Sequence, residues 1–148
     1  MIAYFDCFAG ISGDMTLGAL VDLGVPVDWL KDQLHRLPLA DFDLSVTTVQ
    51  RSGIHANLVH VAVRENDTSR NFSQIRSLIE NSPFADPVKS NSLQIFQKLA
   101  QAEARIHNCP LDEVHFHEVG GIDAIVDIVG TALGIEYLAI QKISASPI

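Results

Sequence analysis

The stretch VHFHEVGGIDAIVDIVG, residues 114–130, places histidines and carboxylates in an otherwise apolar run. His115 and His117 are two positions apart in the predicted strand VHFHEV, so both imidazoles project from the same face. Glu118 follows them, and after a Gly-Gly turn Asp123 and Asp127 lie one helical turn apart on the next predicted helix. Imidazole and carboxylate ligands together suit nickel, zinc, iron, cobalt or manganese. The stretch therefore predicts a metal-binding cleft and leaves the choice among these metals open.

The predicted helix that carries the two aspartates has small residues further along the same face. Gly130, Thr131 and Gly134 continue that face, which predicts space for a ligand beside the acids. Two carboxylates in a largely buried helix need a cation, hydrogen-bond donors or a solvent-filled cleft, because burial disfavours their charged forms. In the alternative without a ligand, Asp123 caps the helix and Asp127 pairs with a basic side chain.

A second candidate site lies in the stretch FDCFAGISGDM near the start of the chain. The carboxyl end of a strand is where open α/β sheets place ligands, and the glycine turn that follows leads into a helix whose first amides could hold an anion. The stretch lacks the lysine of a phosphate loop and the spacing of a dinucleotide fingerprint. A dipole partner at the helix start and a small buried thiol are the alternatives for its acid and its cysteine. The candidate residues are Asp6, Cys7, Gly10, Ser12, Gly13 and Asp14.

Hydrophobic periodicity predicts the elements that must position these residues. The long helix carries an apolar stripe formed by Ile95, Leu99, Ala102 and Ile106, and Glu103 with His107 forms an i,i+4 pair that we interpret as a surface pair. We expect a mixed α/β fold, with helices packed on a small mixed sheet in a single domain. The predicted order is strand 2–8, helix 15–24, helix 25–38, hairpin strands 42–50 and 54–63, loop 65–71, helix 72–82, helix 88–108, strand 114–119, helix 122–140 and strand 142–148.

The composition excludes several classes of function. Ten basic against eighteen acidic residues in 148 give a net charge of -8, which repels nucleic acid and anionic membrane surfaces. No apolar run reaches membrane-spanning length and no basic leader precedes the first strand, so we expect a cytoplasmic protein. Cys7 and Cys109 are too far apart in sequence to indicate a zinc knuckle or a disulfide framework. The chain stops inside a predicted strand, which indicates part of a longer protein.

Three stretches, YFDCFAGISGDMTLGALVDLG, AQAEARIHN and VHFHEVGGIDAIVDIVG, resemble the amino-terminal region of the LarC family of nickel insertion proteins. The resemblance implies a nickel chelatase domain. The family reaction inserts Ni(II) into pyridinium-3,5-bisthiocarboxylic acid mononucleotide, with CTP hydrolysis, and gives the nickel-pincer cofactor of lactate racemase. Because family members are much longer, the resemblance also implies that residues 1–148 are an amino-terminal domain without the CTP-binding carboxyl-terminal domain.

The resemblance assigns roles to the candidate residues. On this resemblance we hypothesise that His115 and His117, together with Glu118 or Asp123, hold Ni(II), with Cys7 as a further candidate that some members lack. The hypothesis gives the general-base role to Asp127 or another carboxylate, with Asp123 and Asp14 as the other catalytic candidates. It implies that the turn containing Asp6, Gly10, Ser12 and Gly13 binds the precursor. Gly120 also matches the family motif, whereas Gly121 stands where alanine is expected.

The resemblance further implies Mg²⁺ or Mn²⁺ with CTP in the full-length protein. The partners it implies are the pincer mononucleotide precursor, the carboxyl-terminal domain, lactate racemase apoprotein and further copies in a homo-oligomer. Two other functions fit the same residues. One is a metal-dependent phosphohydrolase, since clustered aspartate and histidine also suit two-metal hydrolysis. The other is a nickel-holding module without chemistry of its own.

Overall fold

The computed structural model describes residues 1–39, 42–51, 53–63, 69–116 and 119–147. Its elements confirm a mixed α/β domain, and no helix in the described part is long and apolar enough to cross a membrane. In chain order they are β1 (Ile2–Phe5), α1 (Gly13–Asp22), α2 (Val27–Leu34), β2 (Phe42–Arg51), β3 (Ile54–Val63), α3 (Phe72–Glu80), α4 (Asp86–His107), a 3₁₀ turn (Leu111–Glu113), α5 (Ile122–Tyr137) and β4 (Lys142–Ala145).

Helices α1 and α5 pack closely along faces that carry glycine. A side chain at Gly130 would lie 3.0 Å from a Leu17 methyl, and one at Gly134 would lie 2.9 Å from a Leu20 methyl. The two glycines of α5 therefore leave space in which Leu17 and Leu20 of α1 pack. This corrects part of the sequence interpretation, since Gly130 and Gly134 make room for a neighbouring helix and not for a ligand. Both leucines are buried, as expected for the center of a core.

The predicted hairpin is confirmed as the antiparallel pair β2–β3, joined by a turn at Gly53, whose φ is +82°. Val59 is buried, and Val61 and Val63 are half-buried against the core, as their alternation predicts. Helix α1 lies against β3 so closely that a side chain at Gly18 would overlap the backbone oxygen of Asn57. The hairpin thereby fixes the position of α1.

Strands β1 and β4 form a separate two-stranded parallel sheet, so the strands of the described part are divided between two small sheets. The register pairs Ala3 with Ile143 and Phe5 with Ala145. Strand β1 ends at Phe5, three residues earlier than predicted, since Asp6 to Phe8 already leave the sheet. The sheet places the Asp6 to Asp14 turn directly after its first strand.

Helix α4 forms as predicted but buries a different face. Its buried residues are Val88, Ser92, Phe96 and Ala100, whereas Ile95 is 40% and Ile106 is 75% exposed. The predicted stripe of Ile95, Leu99, Ala102 and Ile106 is thus a second apolar face. The face with Phe96 is buried in preference to the face with Ile95 because Phe96 makes an aromatic contact with Phe116, at 6.2 Å between ring centroids.

The strand predicted at VHFHEV is wrong for the described residues of that segment. Val114 to Phe116 form a single antiparallel bridge, between Asn71 and His115, in place of a strand. Val114 and Phe116 are nonetheless buried and His115 is exposed, which is the alternation that the sequence predicts. His117 and Glu118 lie outside the described residues, as does most of the predicted loop 65–71.

Candidate functional site

The start of helix α1 contacts Asp127 of α5. A side chain at Gly13 would lie 2.5 Å from the Asp127 Cβ and 2.6 Å from its Cγ, so only glycine admits this approach. This contact therefore brings the turn of residues 6–14 against the helix that carries Asp127. Asp14 adjoins Gly13 on the first turn of α1, and Asp123 lies one turn before Asp127 on α5.

Ser12 occupies the N-cap position of α1, but its side chain does not cap the helix. The Ser12 hydroxyl instead donates a hydrogen bond to the Asp14 carboxylate. The Ser12 carbonyl accepts from the Thr16 amide at 3.0 Å and from the Thr16 hydroxyl at 2.8 Å. The serine thus orients a carboxylate beside Asp127.

Asp127 is the most perturbed acid of the described residues. Burial, then the charge of Asp14, then the charge of Asp123 raise the pKa of Asp127 from 3.8 to about 6. Its Oδ1 atom is buried and has no hydrogen-bond partner among the described residues. A carboxylate with a pKa close to the working pH is suited to accept and return a proton. Asp127 is therefore the candidate general base.

An open apolar groove of about 630 Å³ lies beside Asp127. Helix α4 contributes Ile95 and Leu99 to it, and strand β4 contributes Ile143. Asp127 is the charged residue of the groove among the described residues, and Ser12 and Thr131 are polar neighbours. Apolar walls around a few polar groups are typical of small-molecule sites.

Cys7 is buried between this groove and a second cavity of about 200 Å³. Its backbone amide donates to the Ser146 hydroxyl at 2.8 Å, which ties the turn after β1 to the chain after β4. Asp6 and Gly10 line the second cavity but not the groove. The Gly10 amide donates to the Cys7 carbonyl at 2.9 Å, and its φ of +88° confirms the predicted tight turn.

His115 is held by its neighbours in the chain. The Phe72 amide donates to the Val114 carbonyl at 3.1 Å, and Phe116 packs edge-on against Phe72 at 6.5 Å between centroids. Gly120 is required nearby, since a side chain there would lie 2.7 Å from the backbone oxygen of Arg70. The backbone on both sides of His115 is thus fixed while its imidazole stays exposed.

The cavity beside His115 has a volume of about 280 Å³ and is also lined by His107, Cys109 and Glu113. His107 pairs with Glu103 at 3.2 Å between Nε2 and Oε2, which confirms the predicted i,i+4 pair. Within the described ranges no group of three or more histidine, cysteine, aspartate or glutamate side chains is arranged to hold a metal. His115 and Cys7 line different cavities, and His117 and Glu118 lie outside the described residues, so the predicted nickel ligands stay a prediction.

The family model described as nickel insertion protein matches residues 3–148, nearly the whole chain. The chain belongs to the nickel insertion protein family. It is 53% identical over 150 residues to a relative from Wolinella succinogenes and 49% identical over 149 residues to one from Geotalea uraniireducens, both named for nickel insertion. Each alignment covers 99% of this chain but 38% of the relative, so the chain spans less than half the length of these relatives. No solved structure matches the chain significantly.

In this member of the nickel insertion family, the sequence predicted space beside Asp127 on the face that carries Thr131, but it did not predict the apolar walls of the groove. Its walls come from Ile95 and Leu99 of α4 and from Ile128 and Ile135 of α5. The sequence did contain a signal for these walls. Helix α4 carries apolar residues on two faces, and a helix that packs on one side buries only one of them. The second face of α4 could have been recognised as a binding surface.

Proposed function

We propose that the chain is a domain of a nickel chelatase that inserts Ni(II) into pyridinium-3,5-bisthiocarboxylic acid mononucleotide, the step that makes the nickel-pincer cofactor of lactate racemase. Membership of the nickel insertion protein family supports a role in nickel insertion. The contact of Gly13 with Asp127 supports the chemical step. It places a helix start that could bind an anion beside a half-buried acid whose pKa is raised to about 6. The organic precursor has both a phosphate and a ring proton that must leave.

Asp127 is proposed as the general base. Formation of the carbon–nickel bond requires removal of the proton at pyridinium C4, and the electron pair of that C–H bond then forms the bond to nickel. With its pKa raised to about 6, Asp127 is mostly ionised at neutral pH yet more basic than an ordinary aspartate. The apolar walls of the groove suit the flat face of an aromatic ring. Asp14 and Asp123 assist by raising the basicity of Asp127.

The turn at the start of α1 is proposed to hold the precursor phosphate through the backbone amides of Ser12 and Gly13, with Gly10 shaping the turn and Asp6 beside it. Ni(II), the metal substrate, is proposed to bind His115, His117 and Glu118, with Cys7 as a further ligand. Exposure of the His115 imidazole leaves it accessible to an incoming metal ion. Open positions on nickel would accept the two thiocarboxylate sulfurs.

The rest of the activity is assigned to the longer protein that the relatives represent. There we propose CTP hydrolysis with Mg²⁺ or Mn²⁺ in a carboxyl-terminal domain, assembly into a homo-oligomer, and delivery of the product to lactate racemase apoprotein in the cytoplasm. Support comes from the relatives, of whose length this chain covers 38%.

Nickel binding by the metal-free chain, measured by equilibrium dialysis with metal analysis, tests the metal half of the proposal. We expect the wild type to bind one Ni(II) and the His115→Ala, His117→Ala variant to lose it. The matched control replaces His55 and His60, which are exposed on β3 and outside the proposed site, and should bind as the wild type does. Equal binding by all three proteins would refute the ligand assignment.

The chemical half is tested by Asp127→Asn in the full-length protein, assayed by mass spectrometry for nickel in the nucleotide product. We expect nickel binding to persist and product formation to stop. Product formation at the wild-type rate would refute Asp127 as the base. Nickel binding without product in the wild type, with CTP and precursor supplied, would identify the protein as a nickel-holding module instead.

A further inference from the structure

The β1–β4 sheet is exposed to solvent, whereas parallel sheets are normally buried. Parallel strands occur almost only with both faces buried, and a two-stranded sheet alone is marginally stable in water. Here Ile2 is 69% and Tyr4 is 64% exposed on one face, and every residue of β4 is exposed. The sheet has the character of an interior element that lacks its neighbours.

The opposite face of the sheet borders the apolar groove. Ile143 and Ala145 of β4 face Ile95 and Leu99 of α4 across it, and Ile128 of α5 also lines it. Ile95 is 40% exposed although it belongs to an apolar face of a long helix. Extended apolar patches of this kind on a soluble protein mark interaction surfaces.

The relatives indicate what covers the groove. In each of the Wolinella and Geotalea proteins, well over half of the chain lies outside the region that this chain matches. A segment of the same polypeptide needs no separate encounter, because its effective concentration is high. A second copy of this chain is less suitable, since both copies carry a net charge of -8.

We propose that the groove between the β1–β4 sheet and helices α4 and α5 is the docking site for an apolar segment from the part of the family's polypeptide that lies outside the matched region. The docked segment buries Ile95 and Ile143 and pairs with or covers the β1–β4 sheet. The docked segment covers the part of the groove at Ile95 and Ile143 and leaves open the part at Asp127, where the precursor ring is proposed to bind. The proposal rests on family membership and on the surface, and does not depend on the reaction assigned above.

Hydrogen exchange with mass spectrometry tests the proposal on two proteins. One is the chain alone, and the other is a fusion in which the chain replaces the matched region of the Wolinella succinogenes relative. We expect amides of β1 and of the α4 segment around Ile95 to exchange at least tenfold more slowly in the fusion. The α4 segment around Ile106, which does not line the groove, should exchange equally in both.

Two variants of the fusion make the test specific. Ile95→Gln should return exchange of β1 and of its own segment to the rate of the chain alone. Ile106→Gln, on the same helix and 75% exposed, is the matched control and should leave protection intact. If the fusion does not fold, the unmodified Wolinella protein is compared with the chain alone at the aligned segments.

Equal exchange of these segments with and without the rest of the polypeptide overturns the proposal. Protection that rises with concentration in the chain alone, together with a dimer in sedimentation velocity that Ile95→Gln dissociates, also overturns it, because the occupant is then a second copy. A loss of protection in the Ile106→Gln fusion equal to that in Ile95→Gln overturns the assignment of the groove.

Discussion

Replacement of Asp127 by asparagine should stabilise the folded chain, with a gain that grows as the pH rises from 3.8 to about 6. The pKa of Asp127 is raised from 3.8 to about 6 by burial and by two neighbouring acids, so ionisation is harder in the folded state than in the unfolded chain. A difference of about 2 between the two pKa values corresponds to about 3 kcal/mol. Because Asp127 is half-buried and solvent screens part of its charge, we expect about 1–2 kcal/mol.

The sign of the pH dependence follows from proton binding. Between pH 3.8 and about 6 the folded state binds more protons at Asp127 than the unfolded state does. The free energy of unfolding of the wild type therefore falls as the pH rises through this window. Asparagine has no such ionisation, so the Asp127→Asn variant gains relative to the wild type through the same window and keeps the gain above it.

The assay is urea denaturation of both proteins at pH 4, 5, 6, 7 and 8, followed by circular dichroism. Subtraction of the two curves cancels the titration of acids that do not interact with Asp127. Asp32→Asn, which removes a carboxylate from an exposed position on α2, is the matched control and should not reproduce the stabilisation. A stability difference for Asp127→Asn that is the same at pH 4 and pH 8 would refute the reasoning, as would a wild type that is the more stable protein at pH 8.

Three further predictions concern the contacts around the site. Asp14→Asn should lower the pKa of Asp127, because the Asp14 charge is the largest contribution to the raised pKa after burial. The pKa is measured by ¹³C NMR titration of the Asp127 carboxyl, and an unchanged value would contradict the prediction. Gly18→Ala should reduce the free energy of unfolding by about 1–3 kcal/mol, since the new methyl overlaps the Asn57 backbone oxygen; a urea midpoint equal to the wild type would show that the two elements can separate. Asn71→Ala removes the bond that the Asn71 side chain accepts from the Gln74 amide, one of the two hydrogen bonds of the α3 capping box, and should cost about 1 kcal/mol in the same assay. Retention of wild-type stability would mean that tertiary contacts hold the start of α3.

The local elements of the fold could be predicted from the sequence because their signals are local. Helix α1 ends near Gly24, whose φ of +109° favours glycine, and the hairpin follows from strict alternation on both sides of Gly53. The burial of half of the α5 residues follows from apolar residues around most of its circumference. None of these inferences requires knowledge of which distant segment is the neighbour.

The orientation of α4 could not be predicted in this way. Both of its faces are apolar, and the choice between Phe96 and Ile95 for the core depends on Phe116, a residue that another segment supplies. The strand predicted around His115 failed for a related reason. Alternation of buried and exposed residues there is real, but its backbone partner is the short segment before Phe72 in place of a sheet.

The arrangement of the candidate residues could be predicted only in part. Asp127 was expected to converge on the histidine pair, and the structure shows it packed on Gly13. That contact joins segments more than a hundred residues apart, and it depends on α1 packing into the glycine face of α5. The nickel ligands His115, His117, Glu118 and Cys7 stay a prediction that the binding experiment tests.

The pairing of β1 with β4 has a consequence for the order in which the site is assembled during synthesis. Residues 2–5 are made first, yet their partners, residues 142–145, leave the ribosome about 140 residues later. The Asp6 to Asp14 turn follows directly after β1, and the Cys7 amide donates a hydrogen bond to the Ser146 hydroxyl. The contacts that hold the turn are therefore complete only when the end of this segment has been made. Closing so long a loop is slow and favours late formation. The turn that places Gly13 against Asp127 therefore reaches its final position only after nearly all of this segment has been synthesised.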